Sequence, residues 1–153
     1  MTMNDDSFFM SIALEEAKKA YAEGEVPVGA VIVKNNQVLA KGHNTRLSSG
    51  HVFDHAEMIV MDEACHVLND WRLEDCTLYV TIEPCPMCAG TMIQARLSKL
   101  VYGALEPKFG SHASILNLFA HNFNHKVDVC GGVMASEATQ LMKAFFKELR
   151  KQK

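Results

Sequence analysis

Apolar residues recur at helical spacing from Phe8 to Ala22, with Ser7 placed as an N-cap and Gly24 as a stop, so the chain is expected to open on a helix. Val28 to Val33 and Val38 to Ala40 are β-rich runs on either side of Lys34-Asn35-Asn36-Gln37, a pattern that predicts two antiparallel strands joined by a hairpin turn. Thr45 to Gly50 is polar and reads as a loop. Ala56 to Leu68 is apolar on most sides and suits a well-buried helix. Leu78 to Ile82 predicts a strand that stops at the Glu83-Pro84 breaker. Further on, Met87 to Arg96 reads as a helix, Leu100 to Ala104 and Lys126 to Cys130 as strands, and Glu137 to Arg150 as a closing helix. Helices alternating with the later strands imply crossover connections and parallel pairing. The expected fold class is therefore α/β, a three-layer α/β/α sandwich on a mixed five-stranded sheet.

Length and composition narrow this picture. A chain of 153 residues that is 48% hydrophobic can bury a core of its own, and one domain over residues 1–153 is expected. No apolar run is long enough to span a bilayer, and Met1-Thr2-Met3-Asn4-Asp5-Asp6 is acidic rather than a basic stretch leading into an apolar one. A cytoplasmic protein without a membrane partner is the expectation. The net charge of −3 argues against holding nucleic acid by bulk electrostatics alone, but it hides an asymmetry. Residues 1–90 carry 6 Lys/Arg against 14 Asp/Glu, while residues 91–153 carry 9 against 4. Lys143, Lys147, Arg150 and Lys151 recur at helical spacing and form a basic face on the closing helix, either a solvated face or a phosphate-contacting one.

The candidate chemistry lies in His55-Ala56-Glu57 and Pro84-Cys85-Pro86-Met87-Cys88. Three protein ligands with a fourth position left to water is the plan of a catalytic zinc site, where the pKa of the water falls to about 7. His55, Cys85 and Cys88 are the candidate ligands for one Zn2+ per chain. With Pro86 opening a helix, Cys85 and Cys88 lie on one face and can converge on a single metal. Glu57, two residues from His55, does not stack with it and is free to address the water as a proton shuttle. A purely structural zinc would need a fourth ligand such as Cys65, His66, Cys76 or Cys130. None of these belongs to a second ligand pair, and Cys65, Cys76 and Cys130 read as reduced thiols.

The spacing H-x-E followed by P-C-x-x-C resembles the zinc nucleobase deaminases of the cytidine/deoxycytidylate deaminase superfamily. Over most of its length the chain resembles the bacterial tRNA-specific adenosine deaminases in particular. The likeness runs through Glu25-Val26-Pro27-Val28-Gly29, His43-Asn44, His55-Ala56-Glu57-Met58, Trp71-Arg72-Leu73, Thr77 to Cys85, and Cys88-Ala89-Gly90. It continues in Tyr102-Gly103-Ala104, Lys108-Phe109-Gly110, Asn124-His125 and Phe145-Phe146. The resemblance implies a cytidine deaminase-like fold, a homodimer, and hydrolysis of adenosine to inosine at the wobble position of a tRNA anticodon stem-loop. It implies that Asn44, Pro27, Val28 and the Ala56 backbone meet the base, and that Glu106, Lys108, Asn124, His125, Lys143, Lys147 and Arg150 are RNA-contact candidates. Three features depart from the family pattern or are shared with other branches. Gly50-His51-Val52-Phe53-Asp54 replaces an Asp-Pro-Thr-Ala stretch, Glu106 stands where aspartate is common, and Pro86 also occurs in deaminases of free bases. The alternatives are a deaminase of free guanine, cytosine or a nucleoside, with a closed small-molecule pocket, and a non-catalytic zinc-stabilised RNA-binding scaffold.

Overall fold

A computed structural model describes residues 4–152, so the first three residues of the acidic N-terminus lie outside it. Helix α1 spans Asp6–Ala22. Its N-cap is Asp5, not Ser7: the Asp5 carboxylate accepts the Phe8 N–H at 2.9 Å, and Ser7 is already inside the first turn. Gly24, at φ +78°, turns the chain out of the helix as expected. Strand β1 (Gly29–Lys34) turns into β2 (Gln37–His43) through Asn35 and Asn36, both left-handed at φ 51° and 62°. Asparagine tolerates that region, and two such residues make the tight hairpin loop that matches strand twist.

The loop expected at Thr45 to Gly50 contains a one-turn helix, α2 (Arg46–Ser49). It forms because the buried Glu25 carboxylate accepts the N–H groups of Leu47 at 2.9 Å and Ser48 at 2.7 Å. Helix α3 (Ala56–Leu68) leads to β3 (Cys76–Ile82), α4 (Pro86–Gln94) and β4 (Lys99–Ala104). A 3₁₀ turn at Leu118–Ala120 precedes β5 (Asp128–Cys130) and α5 (Ala135–Lys151).

The strand order is β2-β1-β3-β4-β5, antiparallel where β1 meets β2 and β3, and parallel from β3 to β5. The expected mixed sheet is present. The interior strands β1, β3 and β4 are buried almost throughout and read as continuous apolar runs, as strands covered on both faces must. Alternate residues divide between two cores. Ala30, Ile32, Leu78, Val80 and Leu100 face α3 and α4, whereas Val31, Val33, Tyr79 and Val101 face α1 and α5. Gly29 lets α1 approach the sheet closely, since a Cβ there would overlap the Ala13 carbonyl and the Ala17 amide. Among the described residues no helix is long and apolar enough to cross a membrane.

His43, at the end of edge strand β2, ties that strand to α1. Its Nδ1 lies 3.0 Å from Glu16 and its Nε2 2.9 Å from Glu23. Burial alone lowers the imidazole pKa, but the two carboxylates outweigh it and raise it above its ordinary value. A raised folded-state pKa stabilises fully below the unfolded value near 6.5 and loses that contribution as pH rises through the folded value. Glu16 is held below its ordinary value despite burial, by Lys19 and His43, so its share is lost only in acid. The melting temperature of the wild type is therefore expected to exceed that of His43→Gln most near pH 6, with the gap closing by pH 9. A gap that widens on the alkaline side would remove the ion pair from the account.

Candidate active site

Two helix N-termini meet at one point. His55 is the N-cap of α3, with Glu57 in its first turn, and Cys85 is the N-cap of α4, with Pro86 opening that helix and Cys88 completing its first turn. The His55 Nδ1 lies 3.5 Å from the Cys85 Sγ and 3.6 Å from the Cys88 Sγ, and the three donor atoms lie within 4.8 Å of one another. Among the described residues this is the one group of three such donors that converges. Cys65, Cys76 and Cys130 stay outside it as free thiols, so no fourth side-chain ligand joins the set.

The two thiols differ sharply in how readily they ionise. Hydrogen bonding from Cys88 and His55 pulls the Cys85 thiol down to about 4, against its burial. The Cys85 thiolate and burial push Cys88 up. One thiolate thus forms readily beside the positive ends of two helices, and a second is favoured only with a cation between the sulfurs. An imidazole with two such thiols is a soft, nearly complete donor set for a divalent metal, and the residues fit one. Hydrogen bonding to Cys85 also raises His55. Glu57 is only 4% exposed, and burial, reinforced by the charge on Cys85, pushes its carboxyl up to about 7 against its own backbone N–H and His55. A carboxyl poised there can both take and return a proton near neutrality.

His55, Glu57 and Cys85 line a pocket of about 470 Å³ whose walls include Val26, Val28, Asn44, Ala56 and Ile82. Asn44 is 7% exposed, and its amide is already oriented: Nδ2 donates to the Val26 carbonyl at 3.3 Å and Oδ1 accepts from the Arg46 N–H at 3.2 Å. One N–H and one lone pair remain for a ligand. Pro27 is buried but does not line the pocket, and Val26 lines it instead. The rim is formed by Arg46 and Val52 on one side and by Glu106, Lys108 and Phe109 on another, with Met142 and Phe146 from α5. Val52 belongs to the segment that departs from the family pattern, and it stands at the mouth.

A second groove of about 740 Å³ shares Ile82, Glu106, Lys108, Met142 and Phe146 with the first. Lys143, Lys147 and Arg150 line it, so the basic face read from the sequence joins Lys108 beside the pocket. Asn124 and His125 line neither. Asn124 is exposed, and the His125 Nε2 is bonded at 2.7 Å to the Leu97 carbonyl. Nothing in the sequence marks Val26, Arg46, Phe109 or Met142 as pocket residues. Phe146 enters the sequence reading only as part of the family likeness, although its place on α5 beside Lys143 and Lys147 is a usable signal.

Residues 3–150 match the MafB19-like deaminase family. The chain is 49% identical over 152 residues to the tRNA-specific adenosine deaminase of Bacillus subtilis (strain 168), covering 99% of this chain and 94% of that protein. It is 42% identical to the enzyme of the same name from Aquifex aeolicus (strain VF5), covering 94% of this chain and 95% of that protein. A solved structure from work on A-to-I editing by tRNA:A34 deaminases superposes with a TM-score of 0.85 at 40% identity, covering 88% of this chain and 99% of that one. Identity at this level over nearly the whole length, together with the shared fold, places the chain in the family of tRNA-specific adenosine deaminases.

Proposed function

We propose that the protein hydrolyses adenosine to inosine at the wobble position of tRNA anticodons, releasing ammonia. The observation that carries this reading is the buried Glu57 carboxyl beside the converging His55, Cys85 and Cys88 donors, in a pocket that opens onto a cationic groove. The relatives are named tRNA-specific adenosine deaminases, and the similar solved structure comes from work on A-to-I editing at the wobble position of transfer RNA. His55, Cys85 and Cys88 would hold one zinc ion per chain. Held there, the ion would lower the pKa of a water and so supply the nucleophile for C6 of the adenine.

The chain's own groups do the rest. Glu57 takes the proton from the water, delivers it to N1 of the purine, and helps protonate the departing amine. Asn44 offers its remaining N–H and lone pair to the purine edge, while Val26, Val28 and Ile82 keep water from its faces. Ala56 contributes its backbone at the base of the pocket. Lys108, Lys143, Lys147 and Arg150 take the phosphates flanking an extruded loop base, with Glu106 at the rim; Asn124 and His125 would act only on RNA reaching beyond the pocket. Residues 1–153 serve as one deaminase domain, in a homodimer whose second copy extends the RNA surface, in the cytoplasm.

A short anticodon stem-loop with adenosine at the wobble position is expected to yield inosine, while free adenosine, cytosine and guanine stay nearly inert. A loop base is already unpaired and costs little to extrude, and backbone contacts on both sides hold it in place. Replacing Lys143, Lys147 and Arg150 together by Ala should weaken stem-loop binding and flatten its salt dependence, the log–log slope falling by about 0.7 for each phosphate no longer neutralised, with zinc content unchanged. Efficient turnover of a free base, with no inosine in the stem-loop, would overturn the reading.

A further inference from the structure

Glu83 has no part in the proton path, yet its carboxylate gathers four donors at the end of β3. Oε1 accepts the Glu106 N–H at 3.0 Å and the Ser114 hydroxyl at 2.5 Å. Oε2 accepts the N–H groups of His112 at 2.9 Å and Ala113 at 2.7 Å. The residue is 3% exposed, and all four donors belong to residues 106–114. That stretch has no strand or helix of its own. Its other ties are spread over several partners: the Ser111 N–H and hydroxyl to the Pro84 carbonyl at 3.0 and 2.7 Å, the Tyr102 hydroxyl 2.8 Å from the His112 Nδ1, the Leu118 N–H to the Ser111 carbonyl at 2.9 Å, and within or next to the loop the Lys108 N–H to the Glu106 carboxylate at 2.9 Å, the Gly110 N–H to the Glu106 carbonyl at 2.8 Å and the Ile115 N–H to the Gly110 carbonyl at 2.9 Å. Gly110 is buried against the carboxylate so closely that a Cβ there would overlap the Glu83 carboxyl and the Glu106 carbonyl. The loop is wound round one anion.

That loop carries Glu106, Lys108 and Phe109, which line the pocket, and Lys108 and Phe109 project into solvent. Exposed side chains on a segment without secondary structure hold a direction only if their backbone is held, and the Glu83 carboxylate, with four bonds to the loop, is its largest single tie. We infer that Glu83 is a positioning residue for substrate capture: it fixes the 106–114 rim so that Glu106, Lys108 and Phe109 meet the nucleic acid on arrival. The inference rests on the tRNA reading. It assigns Glu83 to binding, although the residue lies two positions from Cys85.

Glu83→Gln separates these roles. A glutamine amide can turn its NH₂ toward the Ser114 oxygen, which can accept, and keep its carbonyl for His112 and Ala113; the Glu106 N–H is then left without a partner. The zinc-loaded full-length variant is expected to keep one zinc per chain and a kcat within about threefold of wild type, while KM for the stem-loop rises about tenfold, the cost of one unmade buried bond. Amide hydrogen exchange over residues 105–114 should quicken, with the exchange of α3 and α4 unchanged. Gly110→Ala disturbs the same contact from the loop side, away from Cys85, and should reproduce the KM rise and the faster exchange even where Glu83→Gln folds poorly. A fall in kcat and zinc content at unchanged KM would assign Glu83 to the metal motif and overturn the inference, as would wild-type KM and exchange in both variants. If the wild type itself leaves the stem-loop unconverted, the tRNA reading fails, and the exchange measurement still decides whether Glu83 orders the rim.

Discussion

Glu57→Gln is expected to fold, bind metal and bind RNA as the wild type does, and to lose turnover almost entirely. The side chain is nearly buried, and its carboxyl is raised to about 7 because burial disfavours its charge. A neutral amide of the same shape avoids the cost of burying that charge, and thermal stability should change little. What the amide cannot do is carry a proton in both directions. General acid–base groups contribute about 10² to 10⁴-fold, and one that serves the water, N1 and the leaving amine in succession belongs at or above the upper end. Single-turnover inosine formation at saturating stem-loop is the measurement, taken beside zinc content and stem-loop affinity. Half the wild-type rate in the variant would take Glu57 out of the proton path.

The parts of this molecule legible in the sequence are those written locally. Pro86 marks the start of α4, and the spacing of Cys85 and Cys88 then fixes which side of that helix carries sulfur. The runs Val28 to Val33, Leu78 to Ile82 and Leu100 to Ala104 mark the three interior strands, with ends that differ from the observed ones by no more than a residue or two. The features that escape the sequence depend on distant partners. Helix α2 exists because Glu25, more than 20 residues away, supplies the acceptors for Leu47 and Ser48. No local pattern in Thr45 to Gly50 announces that.

The pocket wall teaches a second physical lesson. Resemblance alone places both Pro27 and Val28 against the base, but the chain turns tightly at Pro27, where the Val28 N–H donates to the Val26 carbonyl at 2.9 Å. Val26 and Val28 share the pocket side, and Pro27 is buried away from it. The same limit applies at the rim, where Glu83 gathers residues 106–114 from beyond the next strand.

The sharpest test of the metal assignment is to replace Cys85 and Cys88 by Ser, one at a time, in parallel with Glu57→Gln. A hydroxyl is a far poorer metal ligand than a thiolate, and three-ligand sites have no spare donor; Cys65, Cys76 and Cys130 lie outside the converging group. Each variant should lose metal affinity by more than the roughly 10- to 100-fold that disturbing an outer-shell partner costs. Because metal binding and folding are linked, the loss should appear twice, as zinc content well below one per chain and as lower soluble yield. Adding zinc should raise the melting temperature of the wild type and of Glu57→Gln, since both keep the three converging donors, but should barely move either serine variant. Cys88→Ser is expected to be the more damaging of the two, because Cys88 is fully buried while Cys85 is partly exposed and its replacement can be hydrated. Full zinc retention in both variants would refute the ligand set, and with it the placing of Glu57 beside a metal-activated water.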